Sequence, residues 1–564
     1  MAQIAAAWLT AIALMTPQKS SLPNFMTQYS ADLGALNRLH TFPESPTRHT
    51  VLLDYFKQAE KNLAAIPFNQ LSSADRADWL LMQLELDEKR QEVQLSHTRL
   101  AEIQPLIPFL AELSKFHDHR ISRTLPQPEQ FAAELARLEK AVTQATQSIS
   151  NEKTRPQFQD FHGQRAVAAT NSARRALDNW YDHFAGYDPL FTWWCKKPVQ
   201  QVDAALEKHR AVLNEIYIKP AEDKITGDPV GREELVRALR REMIDYTPEE
   251  LIAIAENEMK WVDKEFAKAA QELGYGDNWR AALEHVKTLH EKPGDQPKLI
   301  RELADKAIDY LEKHDLLTIP PLAKEVWRMD MMSPERQKVS PFFLGGETII
   351  ISFPTDEMTH EEKLMSLRSN NRYFAKATVH HELIPGHHMQ FYMTSRYNTH
   401  RNGVTGTPFW VEGWALYWEF LLYQRKFAAT PEERVGFLFW RKHRCARIIF
   451  SLKYHLGQMT TDECVKMLTD VVGHEQSTAE GEVRRSFNGT YPPLYQAAYM
   501  LGALQLWEIR RELVLTGKIP EKEFHDQIMQ LGNMPWAVIR KLLSGSEISQ
   551  ELEPWNFYRG NIED

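Results

Sequence analysis

Along most of the chain, apolar positions recur every three to four residues with charged residues between them, the repeat of an amphipathic helix. Residues 50–115 show it clearly, as at Leu80, Leu81, Leu84 and Leu86, and residues 129–150 and 165–182 read the same way. One helix start is marked by its chemistry. Thr247-Pro248-Glu249-Glu250 supplies an N-cap hydroxyl, proline at the first helical position and glutamate three residues after the cap. The helix it opens is predicted from Pro248 to about Leu273, ending near Gly274. Gly294, Pro297 and Pro320-Pro321 interrupt the stretches that follow. The pattern changes at 339–354, where two glycines divide the segment and Thr348 to Phe353 is β-branched and aromatic. This is the best strand candidate. It reads either as a small structural hairpin or as an edge strand beside a cleft, able to hydrogen-bond an extended peptide. Helical patterns resume at Thr359 and continue to about Leu543. No fixed-period repeat stands out, so a solenoid is not expected.

Composition narrows the class. A chain of 564 residues has a soft prior of roughly four domains, and core size sets no limit. With 43% hydrophobic and 25% charged residues, disordered, collagenous and disulfide-scaffold classes are excluded. The net charge of −9 argues against a nucleic-acid partner, which needs a basic face. The three cysteines match neither a zinc knuckle nor a CxxC pair. An apolar run from Ile4 to Met15 has signal-peptide length, yet no basic residue precedes Lys19 and the Ala11-Ile12-Ala13 site lies inside the run. Residues 1–21 are therefore a candidate signal segment, with export to periplasm or medium and a cytoplasmic location both open. No later stretch of about 18 uninterrupted apolar residues predicts a transmembrane helix. Residues 22–320 read as an N-terminal helical region and 321–564 as a second region that carries the chemistry. Oligomeric state has no signature in the sequence.

That chemistry centres on His380-His381-Glu382-Leu383-Ile384-Pro385-Gly386-His387-His388, which holds four of the 21 histidines. A His-Glu pair with a second histidine one turn later marks zinc hydrolases, because both imidazoles face one metal and the glutamate serves as general base. Here position i+4 from His381 is Pro385, which cannot ligate. In a straight helix His387 would lie about 9 Å along the axis from His381 and about 120° around it; His388 would face the same way but about 10.5 Å off. Neither could meet His381 at one zinc, whose bonds to nitrogen are about 2.0–2.1 Å. Metal binding thus requires the helix to deform at Pro385-Gly386, and these are residues that break helices and permit unusual dihedrals. A two-residue excursion would bring His387 to the second ligand position. The competing reading is a surface histidine cluster at a helix end.

A third ligand is sought downstream, in Phe409-Trp410-Val411-Glu412-Gly413-Trp414-Ala415-Leu416-Tyr417-Trp418-Glu419. Glu412 and Glu419 are seven apart and share a helix face. A carboxylate among so many large apolar groups should be paired or bound to metal. Glu412 suits the third ligand; Glu419, two turns on, could orient a ligating histidine. Trp410, Trp414 and Trp418, and also Trp193-Trp194, read as core rather than as a carbohydrate or lipid groove.

His-Glu-x-x-Pro-Gly-His followed by Glu-Gly-Trp-Ala-Leu-Tyr-x-Glu resembles the bacterial family called domain of unknown function 885. Its members look like zincin-type metallopeptidases, often exported or lipid-anchored. The resemblance implies His381, His387 and Glu412 as Zn2+ ligands, Glu382 as base and His388 as a neighbour. It also implies a mainly α, zincin-like fold with a small β element before the active-site helix, and a cleft between the N-terminal region and a catalytic zinc-binding region at 321–564. A further family element is less well kept. Glu482-Val483-Arg484-Arg485-Ser486 and Pro493-Leu494-Tyr495-Gln496-Ala497-Ala498-Tyr499-Met500-Leu501-Gly502 match it at Arg485, Pro493, Tyr499 and Gly502, with Ser486 in place of a tyrosine. The expected activity is zinc-dependent hydrolysis of peptide or related amide bonds. In it Glu382 takes the proton of a metal-activated water, and Tyr499, or less directly His474, is the second donor to the oxyanion. Arg485 either binds a substrate carboxylate bidentately or is a solvated arginine on a charged helix. The alternatives are a zinc amidohydrolase of non-peptide substrates, such as modified amino acids, and a non-catalytic binding module that retains the metal.

Overall fold

The computed structural model describes residues 22–219, 224–337, 342–551 and 553–562. The apolar run from Ile4 to Met15 lies outside them. The fold is mainly helical, about 70% helix and 2% strand. Among the described residues no helix is long and apolar enough to cross a membrane.

The elements that build the site are α1 (Pro248–Glu272), β1 (Arg328–Met331), β2 (Thr348–Ile351), α2 (Arg372–Glu382), α3 (His387–Thr394), α4 (Pro408–Gln424), α5 (Pro431–His455), α6 (Gln476–Phe487) and α7 (Tyr495–Leu513). Their starts follow local chemistry. The predicted capping box opens α1, with Glu250 N bonded to Thr247 Oγ1 at 3.2 Å and Thr247 N to Glu250 Oε2 at 2.7 Å. Thr430 and Glu433 repeat the device at α5. Asn371 caps α2 by accepting from the amides of Tyr373 and Phe374.

The largest hydrophobic core takes residues from both sides of position 320, from Leu22 to Ile562, so the N-terminal helices and the α4, α5 and α7 layer share one interior. A second core lies wholly within residues 42–217. A third, smaller core joins Leu299, Ile300 and Leu303 to Ile349 and Ile351 of β2 and to Ala375, Val379 and Leu383 at α2.

The strand predicted over Thr348 to Phe353 exists as β2, but its main partner lies outside the 339–354 window. It pairs in parallel with β1, Arg328 opposite Thr348 through Met331 opposite Ile351. Only an isolated antiparallel bridge, Leu344 to Ile350, gives the segment a hairpin-like return. Parallel strands need a crossover, and the short helix Pro334–Gln337 lies on the one made here. Ile349 and Ile351 alternate inward with the strand period of two and press β2 against α2.

Trp410, Trp414 and Trp418 are fully buried, as expected. Trp193 and Trp194 are not core residues. They are 81% and 41% exposed, because on the helix Pro189–Leu213 the buried stripe runs through Phe191, Cys195 and Val199 and leaves both tryptophans off it.

Helix α4 lies along α7 at backbone contact distance. A Cβ at Gly413 would come 2.5 Å from the carbonyl carbon of Gly502, and one at Gly502 would overlap the Phe409 carbonyl oxygen. Small residues at this crossing bring the face that carries Glu412 against the face that carries Tyr495 and Tyr499. Gly413→Ala forces backbone against backbone, so it is expected to lower the thermal unfolding midpoint at a cost of about 1–3 kcal/mol. In the helix Leu22–Leu39 the methyl of Gly34→Ala would meet only the flexible end of Arg38, at 3.2 Å. That change is expected to stabilise by about 0.5–1 kcal/mol. A melting curve by circular dichroism in which Gly413→Ala leaves the midpoint unchanged or raises it would contradict the close crossing.

Candidate metal centre

Helix α2 stops at Glu382 and α3 begins at His387, with Leu383 to Gly386 between them outside any helix. The interruption is therefore four residues long rather than two. The Ile384–Pro385 peptide is cis. Gly386 N reaches back to His380 O at 3.0 Å, and a Cβ on Gly386 would overlap the His381 carbonyl, so only glycine fits the return. Trp414 Nε1 of α4 holds the break from outside by donating to Pro385 O at 2.7 Å. The break turns His387 back toward His381; their ring centres are 4.8 Å apart and the planes nearly perpendicular.

The two imidazoles and Glu412 converge. His381 Nε2 lies 3.4 Å and His387 Nε2 3.3 Å from the same oxygen, Glu412 Oε2. The other nitrogen of each ring is committed. His381 Nδ1 donates to Glu419 Oε1 at 2.7 Å, the orienting contact anticipated for that carboxylate. His387 Nδ1 donates to Gln390 Oε1 at 3.0 Å, and the Gln390 amide is itself oriented by giving its Nε2 hydrogen to Trp410 O at 3.1 Å. With Nδ1 protonated, each neutral ring carries its lone pair at Nε2, aimed at a carboxylate oxygen. Lone pair against lone pair is repulsive unless a proton or a cation lies between. Burial disfavours a charged His381, yet Glu412 and Glu419 prevail and raise its pKa to about 9. Against burial, Glu412 and then Glu382 raise His387 as well, while the two imidazoles hold Glu412 well below the usual carboxylate range against the effect of burial.

Two imidazoles and a carboxylate are a donor set suited to a divalent transition metal. Two of the three edges of such a set have a fitting length. At bond lengths of about 2.0–2.1 Å, ligands on the edges of a tetrahedron are about 3.3–3.4 Å apart. Glu382 also falls in the group, since atoms of His381, Glu382 and His387 lie within 4.8 Å of one another. Its Oε2 is 3.9 Å from His387 Nε2, farther than Glu412 Oε2, and its side chain borders the cavity. Either carboxylate could thus complete the set, with Glu412 Oε2 the nearer of the two to His387. Burial raises the Glu382 pKa above the ordinary range, against the pull of both imidazoles.

A cavity of about 290 Å³ opens on this cluster. Phe342, Leu344 and Gly345 form one wall, and Gly345 packs so closely that a Cβ there would overlap the Glu382 carboxylate. The segment before β2, rather than the strand itself, therefore reaches the cleft. Tyr499 lines the cavity with its ring stacked on His381, 18° from parallel at 6.1 Å; burial, then the Glu412 charge, push its phenol up to about 12. Arg485 is buried and donates to Tyr499 Oη at 3.4 Å, whereas Arg484 is exposed, so the solvated-arginine reading of Arg485 is set aside.

The remaining histidines point elsewhere. His388 Nε2 bonds Ala323 O at 2.7 Å, His380 Nδ1 bonds Lys376 O at 2.9 Å, and His474 Nε2 bonds His443 Nδ1 at 2.9 Å. Sequence reasoning missed Tyr495, whose hydroxyl donates to Glu412 Oε1, and Gln390 beneath His387. Gln390 could have been found as an i+3 neighbour of His387. Tyr495 carried no signal beyond its place four residues before Tyr499.

No curated protein matches the chain in sequence. Solved structures share its fold, and two of them illustrate the likeness. One is a "putative lipoprotein of unknown function" from Shewanella oneidensis, with a TM-score of 0.68 at 18% identity over 93% of this chain and 100% of that one. The other is a "putative lipoprotein" from Colwellia psychrerythraea, with a TM-score of 0.60 at 13% identity over 93% of this chain and 98% of that one. At these identities the likeness concerns the fold alone. The sequence profile described as "Bacterial protein of unknown function (DUF885)" matches residues 32–543, nearly the whole chain, and the chain belongs to that family.

Proposed function

We propose that the chain is a zinc-dependent hydrolase of peptide or related amide bonds, with a zincin-like helical site in which His381, His387 and Glu412 hold the metal. One observation carries the reading: two imidazoles with their Nδ1 hydrogens already given away present both Nε2 lone pairs to one carboxylate oxygen, at 3.4 and 3.3 Å. Zinc in such a site polarises a carbonyl and lowers the pKa of a water from about 15.7 toward about 7.

The chain's own groups supply the rest. Glu382 borders the cavity beside His387, and its raised pKa suits a carboxylate that accepts a proton from water and passes it to the departing nitrogen. The Tyr499 phenol remains protonated at neutral pH and already accepts from Arg485, so its own hydrogen is free for a developing oxyanion. Tyr495 and Glu419 hold Glu412 and His381 in place from outside the ligand set. Phe342, Phe391 and Trp440 line the cavity beside the cluster. Export also belongs to this reading, supported by the lipoprotein description of two structures that share the fold.

Elemental mass spectrometry of the purified, unchelated protein is expected to find about one zinc per chain. Glu382→Gln is expected to retain that zinc while lowering amide hydrolysis about 10²–10⁴-fold; full activity in this variant would end the mechanism. His387→Ala is expected to abolish tight zinc binding and His388→Ala to preserve it, since His388 is turned to the Ala323 carbonyl. Glu419→Gln should weaken zinc binding about 10–100-fold in a chelator competition assay, and unchanged affinity would remove Glu419 from the site.

A further inference from the structure

Beyond the metal cluster the cavity has a second, oppositely charged end. Helix α5 contributes Arg444 and Arg447, three residues apart on one face, and α6 contributes Arg485. All three are buried, at 4%, 1% and 5% exposure. Their acidic partners are too few. Glu482 accepts from Arg447 Nε at 2.6 Å and lies 4.0 Å from Arg485. The nearest carboxylate to Arg444 is Glu419, 3.8 Å away, and that oxygen already takes the His381 hydrogen. Among the described residues Arg444 Nε, Arg447 Nη1 and Arg485 Nε are buried without a hydrogen-bond partner, and so are the second oxygens of Glu419 and Glu482, which shows that these two carboxylates do not reach all three guanidiniums. Burial, together with Arg447 beside it, lowers the Arg444 pKa from its ordinary value. Three buried guanidiniums with one dedicated carboxylate are an arrangement that folding alone disfavours. An anion that enters the cavity removes the penalty.

The position of this cluster says what the anion belongs to. The guanidinium carbons of Arg444 and Arg447 sit 4.7 and 4.4 Å from the centre of the Tyr499 ring, the ring that also stacks on His381. Arg485 reaches the hydroxyl of the same tyrosine. One aromatic side chain is thus in contact with both the candidate reacting centre and the cationic end, so both belong to the same small cavity. The cavity of about 290 Å³ is at the lower edge of the range for ligand sites, roughly 300–1,000 Å³. It suits a molecule of two residues better than a polypeptide.

We propose that Arg444, Arg447 and Arg485 bind the free carboxylate of a dipeptide-sized substrate, a peptide or N-acyl amino acid whose terminal residue is the one released. This rests on the hydrolase reading above. The reaction remains a balanced hydrolysis: the acyl C–N bond breaks, a C–O bond from water forms, and the proton from water ends on the departing nitrogen. The carboxylate is unchanged and serves to set register. Arginine suits the task because its planar fork matches a carboxylate with two parallel hydrogen bonds.

The test uses the full-length protein as purified, with zinc per chain measured in every sample. N-acetyl-alanine and N-acetyl-alaninamide, which differ only in the terminal charge, are titrated calorimetrically. The acid is expected to bind and the amide to bind about tenfold more weakly or worse. Arg447→Gln is expected to weaken the acid about tenfold with zinc content unchanged. Arg444→Lys, which keeps the charge and gives up the fork, should cost less. The acid–amide comparison needs no variant, so a glutamine variant that fails to fold leaves the test intact. Equal affinity for acid and amide, no binding of either, or acid affinity unmoved in both folded variants would overturn the carboxylate subsite. Zinc present without acid–amide discrimination sinks the subsite alone. Discrimination without zinc sinks the hydrolase reading and leaves an anion-binding pocket.

Discussion

The site depends on one electrostatic constraint: two imidazole lone pairs and a carboxylate oxygen are held at a distance that only a shared positive charge makes favourable. Each component of the constraint is imposed from outside. Glu419 and Gln390 decide which nitrogen of each ring is protonated, and the Tyr495 hydroxyl holds the far oxygen of Glu412. Without these partners a histidine could rotate or change tautomer, and the lone pairs would disperse. A proton or a metal ion satisfies the same geometry. The electrostatics that raise the His381 pKa therefore also favour a bound cation.

The scaffold answers that constraint in two places. At 383–386 the helix is broken so that His387 returns toward His381, and a glycine at 386 allows the backbone to pass the His381 carbonyl. At the crossing of α4 and α7, Gly413 and Gly502 let the two backbones meet directly. Glu412 and Glu419 on one helix and Tyr499 on the other then meet the histidines, and Tyr495 meets Glu412. The small parallel pair of strands presses its isoleucines into α2, and the segment before it brings Gly345 against Glu382.

Much of this was legible in the sequence, for reasons that are local. Thr247 to Glu250 carried its capping box in four residues, and the Pro385-Gly386 interruption announced a bend between two histidines that a straight helix would keep apart. Glu412 and Glu419 were readable as a pair because seven residues make nearly two whole turns. What stayed hidden depends on distant contacts. Arg444 and Arg447 stand on a helix rich in basic residues, and nothing in their own neighbourhood says that they turn inward toward Tyr499. The β1 partner of β2 is unremarkable in composition, and parallel pairing leaves no turn signal. Trp193 and Trp194 misled because tryptophan is a strong prior for burial, while the stripe that decides burial on that helix passes through Phe191 and Cys195.

Tyr499 touches both ends of the cavity, His381 through its ring and the three arginines through its ring and hydroxyl. A side chain shared in this way couples the two ends thermodynamically. Changes at the arginines and at the histidines will not add as independent free energies, since each alters the surroundings of the one ring on which both rest. The interaction energy in a cycle of paired substitutions, rather than the effect of any single one, is then the quantity that describes this cavity.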